Sequence, residues 1–145
     1  MRAPVQVRLE RLQKLIDRIA FESEKGAVIV VEGQRDQDSL RELGITGRVV
    51  CVQSSRRNAI EFAEELRDVQ DVIVLTDFDR QGVFLAKRLQ RVFNSQKVPA
   101  DLAIWHELRR LARSDIRSIE ELPRYQQRLS NLQDPRRANS SIMYE

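Results

Sequence analysis

Hydrophobic and polar positions along this chain follow two alternating periods. From Val7 to Glu24, Leu9, Leu12, Ile16 and Ile19 recur at helical spacing with charges between them, predicting an amphipathic helix that Gly26 ends. Ala27-Val-Ile-Val-Val31 is an unbroken apolar run rich in β-branched residues, the composition of a strand buried on both faces. Asp36 to Leu43 predicts a helix stopped by Gly44, and Arg48 to Gln53 a second strand. The connection Ser54-Ser-Arg-Arg57 opens a helix carrying Ile60, Phe62, Ala63 and Leu66. Val72 to Leu75 repeat the buried-strand composition, and Val83, Leu85, Ala86, Leu89 and Phe93 return to helical spacing. Pro99 precedes a fourth expected strand, Ala100 to Trp105. Beyond it, Leu108 and Leu111 among Arg109, Arg110 and Arg113 predict a short basic helix. Ser118-Ile-Glu-Glu121 has the form of a capping box, with Pro123 in that first turn or at the start of the next helix.

Strands alternating with helices predict an α/β protein: a three-layer α/β/α fold around a four-stranded parallel sheet. Right-handed crossovers, with the first and third strands adjacent, favour the order 2-1-3-4. Residues 1–24 are expected to form an N-terminal amphipathic helix packed on the domain, and 25–105 its core. Residues 106–130 would be a basic C-terminal helical extension, and 131–145 a polar, mobile tail with Pro135, Arg136 and Arg137.

The chemistry gathers where the two apolar runs end. The first ends in Glu32-Gly33, with Asp36 just beyond; the third strand ends in Asp77 and Asp79, followed by Arg80 and Gly82. Side by side in a parallel sheet, these strands bring the acids to the carboxyl edge, where open α/β sheets bind ligands. Carboxylates so close disfavour joint ionisation. The usual remedy is a hard divalent cation, and oxygen-only ligation points to Mg²⁺ or Mn²⁺. Asp36 can equally serve as the N-cap of the helix it begins.

The paired stretches Val30-Val-Glu-Gly-Gln-Arg-Asp36 and Val74-Leu-Thr-Asp-Phe-Asp-Arg-Gln-Gly82 resemble those of the Toprim domain, a Rossmann-like fold. Topoisomerases, bacterial-type primases, a recombination mediator, overcoming-lysogenization-defect nucleases and the ribonuclease that matures 5S ribosomal RNA share that domain. The Glu-Gly-x-x-Asp spacing is most similar to the maturation ribonuclease and to small stand-alone Toprim proteins. The resemblance implies that Asp77 and Asp79, with Asp36, hold Mg²⁺, and that Glu32 is the catalytic general acid/base or a bridging ligand. Gly33 and Gly82 would let backbone approach the site closely. Arg35 and Arg80, beside the acids, would contact phosphate. Ser54, Ser55, Arg56 and Arg57 form a candidate phosphate cradle at a helix start, with ordinary serine N-capping as the alternative.

Composition narrows the partners only a little. The chain has 145 residues, enough for one domain with its own core, of which 32% are charged and 41% hydrophobic. No apolar run reaches membrane-spanning length and no signal-peptide core is visible, so no membrane partner is expected. The single cysteine, Cys51, lies in an apolar strand and fits a buried, inert thiol in a reducing cytoplasm. Net charge is only +3, yet 21 arginines stand against 4 lysines. Arginine suits bidentate phosphate contacts, although 22 acids are present to pair with them on helix surfaces. His106, just past the fourth expected strand, is a candidate acid/base, and Trp105 a candidate stacking or core residue.

The expected function is Mg²⁺-dependent, nuclease-like phosphoryl transfer on RNA or DNA, alone or within a larger nucleic-acid-processing assembly. The alternative is a non-catalytic module that binds nucleic acid or protein. No cysteine-rich zinc module accompanies the motifs, and Tyr125 and Tyr144 lie outside them, which disfavours a stand-alone primase or topoisomerase. A dehalogenase-type phosphatase would carry its Asp-x-Asp on the first strand, and a receiver domain would add a fifth strand with a lysine.

Overall fold

In the computed structural model, which describes residues 2–55, 57–134 and 136, four short strands form one parallel sheet. They are Val28–Val31 (β1), Val49–Cys51 (β2), Val72–Val74 (β3) and Ala100–Asp101 (β4), in the order β2-β1-β3-β4 that the sequence predicts. Ile29 aligns with Val49 on one side and Ile73 on the other, and Ile73 aligns with Asp101. β1 and β3 are apolar at every position and buried throughout, as central strands covered on both faces must be.

Helices cover both faces. Val5–Glu24 (α1) precedes β1, Gln34–Glu42 (α2) follows it, and Ala59–Glu65 (α3) links β2 to β3. Arg80–Ser95 (α4) follows β3, and Ala103–Ala112 (α5), a 3₁₀ turn at Ile119–Glu121 and Leu122–Gln133 (α6) complete the described chain. α3 packs against α4, whereas α1 packs against α5 and α6, and α2 against α6. The buried stripe of α1, with Leu12, Leu15, Ile16 and Ile19, lies at the spacing its sequence gives. Gly26 and Gly44 follow α1 and α2 with φ of +105° and +87°, a backbone that other residues adopt at a cost.

One expectation fails at the C-terminal side. The strand expected over Ala100 to Trp105 stops at Asp101. The Asp101 carboxylate accepts the Ala103 N–H at 2.8 Å and starts a helix, in which Ile104, Trp105, Leu108 and Ala112 share the buried face. That spacing is helical, and the apolar cluster at 102–105 conceals it. α6 runs on to Gln133 with Leu129 buried, so the first residues of the polar stretch expected over 131–145 are helical. Residues 137–145, including Arg137 and Tyr144, lie outside the described residues.

The C-terminal segment is more than an appendage. Arg8 of α1 donates to Asp115 at 2.7 Å and to the Tyr125 hydroxyl at 3.1 Å, and Tyr125 donates to Asp115 at 2.7 Å. Arg2 pairs with the same carboxylate. This network ties both ends of the described chain together and holds the 115–121 segment over the sheet edge.

Candidate acidic site at the sheet edge

The parallel register of β1 and β3 sets Glu32 and Asp77 beside each other. Glu32 follows Val31, and its carboxylate accepts the Asp77 N–H at 2.7 Å, tying the two strand ends together. Asp77 in turn accepts the Ile119 N–H at 3.1 Å, so the C-terminal segment closes over the site. Phe78 donates its N–H to Arg117 at 2.7 Å, and the Arg109 side chain donates to the Phe78 carbonyl at 3.2 Å. Asp79 is the N-cap of α4, accepting the Gly82 N–H at 2.8 Å. Asp36 is not the N-cap of α2; it lies inside the first turn and reaches back to the Gly33 N–H at 3.0 Å.

Each of the four carboxylates thus takes a backbone N–H, and burial with mutual repulsion sets their protonation. Burial pushes the Glu32 carboxyl from 4.5 up to about 7, its bond from the Asp77 N–H opposing this and the charges of Asp77, Asp36 and Asp79 adding to it. Asp36 rises from 3.8 to about 6, again first by burial and then through Asp77 and Glu120. Asp77 is raised by burial and by Asp79, while the Ile119 N–H and a proton shared from Glu32 hold it back. Near neutral pH Glu32 is therefore about half protonated, beside a carboxylate it can donate to.

The glycines differ in kind. A Cβ on Gly82 would stand 2.0 Å from the Asp77 carbonyl oxygen, so α4 can begin this close to β3 only with glycine there. The Gly82 carbonyl accepts from the buried Thr76 hydroxyl at 2.7 Å, locking the turn. At Gly33 the backbone is extended, and a Cβ would meet only the end of the Gln53 side chain at 2.9 Å. Gly33 therefore needs far less.

The remaining expected residues divide. Arg35 and Arg80 are exposed at the starts of α2 and α4, flanking the acids in sequence. Arg35 lines a groove of about 380 Å³ with Arg124 and Arg128 from α6. The cradle expected at 54–57 is weaker: Asn58, not a serine, caps α3, and Arg57 pairs with Glu65 at 2.5 Å. Ser54, Ser55 and Arg57 do line one shallow groove, and Arg56 lies outside the described residues. His106 is exposed on α5, its ring edge-on to Trp105, while the acids direct their bonds to backbone. Trp105 is buried, and its indole N–H donates to the Thr76 carbonyl at 2.8 Å, a core role. Cys51 is likewise buried, which pushes its thiol up.

The sequence reading missed Ile119 and Thr76. Both act on backbone atoms or through them, and only the buried hydroxyl of Thr76, next to Asp77, offered a signal. Among the described residues, no group of three or more His, Cys, Asp or Glu side chains is arranged as a set of metal ligands. No described helix is long and apolar enough to cross a membrane.

A family model for the Toprim domain matches residues 27–106. The chain is 37% identical over 123 residues to a UPF0292 protein of Methanosarcina acetivorans, covering 84% of each. It is 38% identical over 113 residues to one from Thermococcus sibiricus, covering 78% of this chain and 86% of the relative. A solved structure of a protein from Aquifex aeolicus matches with a TM-score of 0.63 at 25% identity, covering 74% of this chain and 94% of that one.

Proposed function

The chain belongs to the Toprim domain family, which supports a nucleic-acid-related role, and on that premise we propose that it carries out Mg²⁺- or Mn²⁺-dependent, nuclease-like phosphoryl transfer on RNA or DNA. One observation carries the reading. Glu32, pushed up to about 7, sits in hydrogen-bond contact with the backbone of Asp77, with Asp36 and Asp79 close enough to add to the shift. A carboxyl half protonated at neutral pH is matched to moving a proton at the reacting centre.

The donor set fits a hard cation. It offers oxygen ligands alone, from carboxylates whose repulsion a divalent ion would relieve. Asp77 and Asp79, with Glu32 or Asp36, would hold the ion after turning from their backbone partners. When bound, it would polarise a phosphodiester and stabilise the charge developing on it. Glu32 would take or give a proton at the oxygen that attacks or leaves. Arg35 and Arg80 would orient the strand by its phosphates, and Gly82 keeps the Asp77–Asp79 turn tight against α4. Ser54, Ser55 and Arg57 are secondary candidates for the same strand. The protein would work in the cytoplasm, alone or within a nucleic-acid-processing assembly.

A non-catalytic binding module is the second reading. It is favoured by the bonding of all four carboxylates to backbone N–H groups. Cleavage assays on structured RNA and on single- and double-stranded DNA, with Mg²⁺ or Mn²⁺, separate the two. Metal-dependent cleavage lost in Glu32→Gln supports the enzyme. Binding without cleavage of any of these substrates supports the module.

A further inference from the structure

We propose that the chain has a second ligand site, a phosphate-binding pocket for a nucleotide unit, between the N-terminal half of α1 and the C-terminal half of α5. A cavity of about 700 Å³ opens there, lined by Arg2, Arg8, Arg11, Lys14 and Arg110, with Glu107 as the one acid of the lining among the described residues. The acids and arginines assigned to the sheet-edge site do not line it, so the proposal goes beyond the function given above and does not rest on it.

The charges of this cavity are not balanced from within. Asp115, behind it, is already bonded by Arg2, Arg8 and the Tyr125 hydroxyl. Arg11, Lys14 and Arg110 form no ion pair with a carboxylate among the described residues. Against Glu107 and Asp115 the five cations leave a local excess of three, as much as the formal net charge of +3 on the whole chain. Such a concentration of one sign in a concave surface repels itself and attracts anions.

Arg8 forms the inner wall of the cavity. It is only 9% exposed and lines the cavity, yet its Nε is buried with no hydrogen-bond partner among the described residues. A donor shut off from water is equally out of reach of a ligand, so the exposed side chains of Arg11, Lys14 and Arg110 carry the contacts to the cavity. Guanidinium groups match the paired oxygens of a phosphate, and Lys14 adds a further donor. The volume falls within the range of small-ligand pockets. Leu15 and Leu111 give the lining an apolar part that a bare inorganic anion would not use but a nucleoside would. The ligand can be a free nucleotide or a nucleotide within a strand; the phosphate chemistry is common to both.

Isothermal titration of the whole chain at low salt, with chelator present so that divalent metal cannot contribute, tests this. The probes are adenosine 5′-monophosphate, adenosine, and a short oligonucleotide with and without a 5′-phosphate. Binding of the monophosphate or of an oligonucleotide, but not of adenosine, is expected. Binding by the monophosphate identifies a free nucleotide as the source, and binding by an oligonucleotide alone identifies a strand. In the double variant Arg11→Ala/Arg110→Ala, both side chains being exposed, affinity should fall at least about ten-fold, the loss of two charge-assisted contacts. Asp77→Asn should bind as the wild type does, which keeps this outcome separate from the fate of the acidic site. Absence of binding by every phosphate-bearing probe, equal binding of adenosine, or an affinity unchanged in the double variant would overturn the proposal.

Discussion

Replacing Asp77 with asparagine should leave the fold intact and, without metal, make it slightly more stable. The amide keeps an oxygen for the Ile119 N–H, and the bond from the residue 77 N–H to Glu32 does not involve the side chain. What disappears is a half-buried charge whose own ionisation is opposed by burial and by Asp79. Glu32 gains as well. The gap between its ordinary 4.5 and about 7 corresponds to about 3 kcal/mol, which solvent screening of a half-buried group reduces to about 1–2 kcal/mol. Burial is the first cause and survives the substitution, so only part of this is recovered. We expect a net change of about 0–2 kcal/mol in favour of the variant at pH 8, seen as a rise in Tm of at most about 6 °C. The Glu32 carboxyl, followed by ¹³C NMR, should titrate below about 7 but still above 4.5. Mg²⁺ should raise the Tm of the wild type by mass action and leave the variant unmoved. If Asp77 serves only to fix the Ile119 segment, the substitution should instead cost about 0.5–2 kcal/mol equally with and without Mg²⁺. That result, with the Glu32 midpoint unchanged, would refute the reasoning.

Other outcomes follow from single contacts. Gly82→Ala forces a Cβ against the Asp77 carbonyl and should cost about 3 kcal/mol in urea unfolding, with Mg²⁺ stabilisation lost as well. Arg8→Ala leaves Asp115 without its buried cationic partner and should cost about 3 kcal/mol, largely independent of Mg²⁺. Glu32 and Asp36 both have raised folded values, so the stability their neutral forms confer is fully present below about 4. It is lost as pH rises through about 6 for Asp36 and about 7 for Glu32, and metal-free melts from pH 4 to 8 should show this decline. A flat profile in that window would contradict the burial of both groups. Asp79→Ala removes the N-cap of α4 and should cost about 1 kcal/mol even without metal, unlike Asp77→Asn.

The strand ends were legible because β1 and β3 carry unbroken apolar runs, and a run that stops at a charge marks the edge of the buried layer. The same logic gave the sheet order, since Glu32 and Asp77 can converge only if β1 and β3 are neighbours. β4 was misjudged because Leu102, Ile104 and Trp105 are all apolar and crowd together; the helical spacing on to Leu108 and Ala112 and the bond from the Ala103 N–H to Asp101 distinguish a helix there. The closure of 115–121 over the site was not legible. It depends on the N–H of Ile119 and on the remote partners Arg8, Asp115 and Tyr125, and neither carries a local pattern. The serines at 54 and 55 looked like helix starters, but Asn58, closer to the first apolar turn, takes that role.

The claim on which the account turns is that Asp77 and Asp79, with Glu32 or Asp36, hold a divalent cation at the sheet edge. Titrating the ¹⁵N-labelled protein with Mn²⁺ and recording which amide signals broaden tests it directly, because the paramagnetic ion marks its neighbours. The account predicts broadening centred on Glu32, Gly33, Asp77 to Gly82 and Ile119, reversed by excess Mg²⁺ and absent in Asp77→Asn. Broadening spread over the acidic faces of the outer helices, with the sheet edge untouched and Asp77→Asn unchanged, would contradict it.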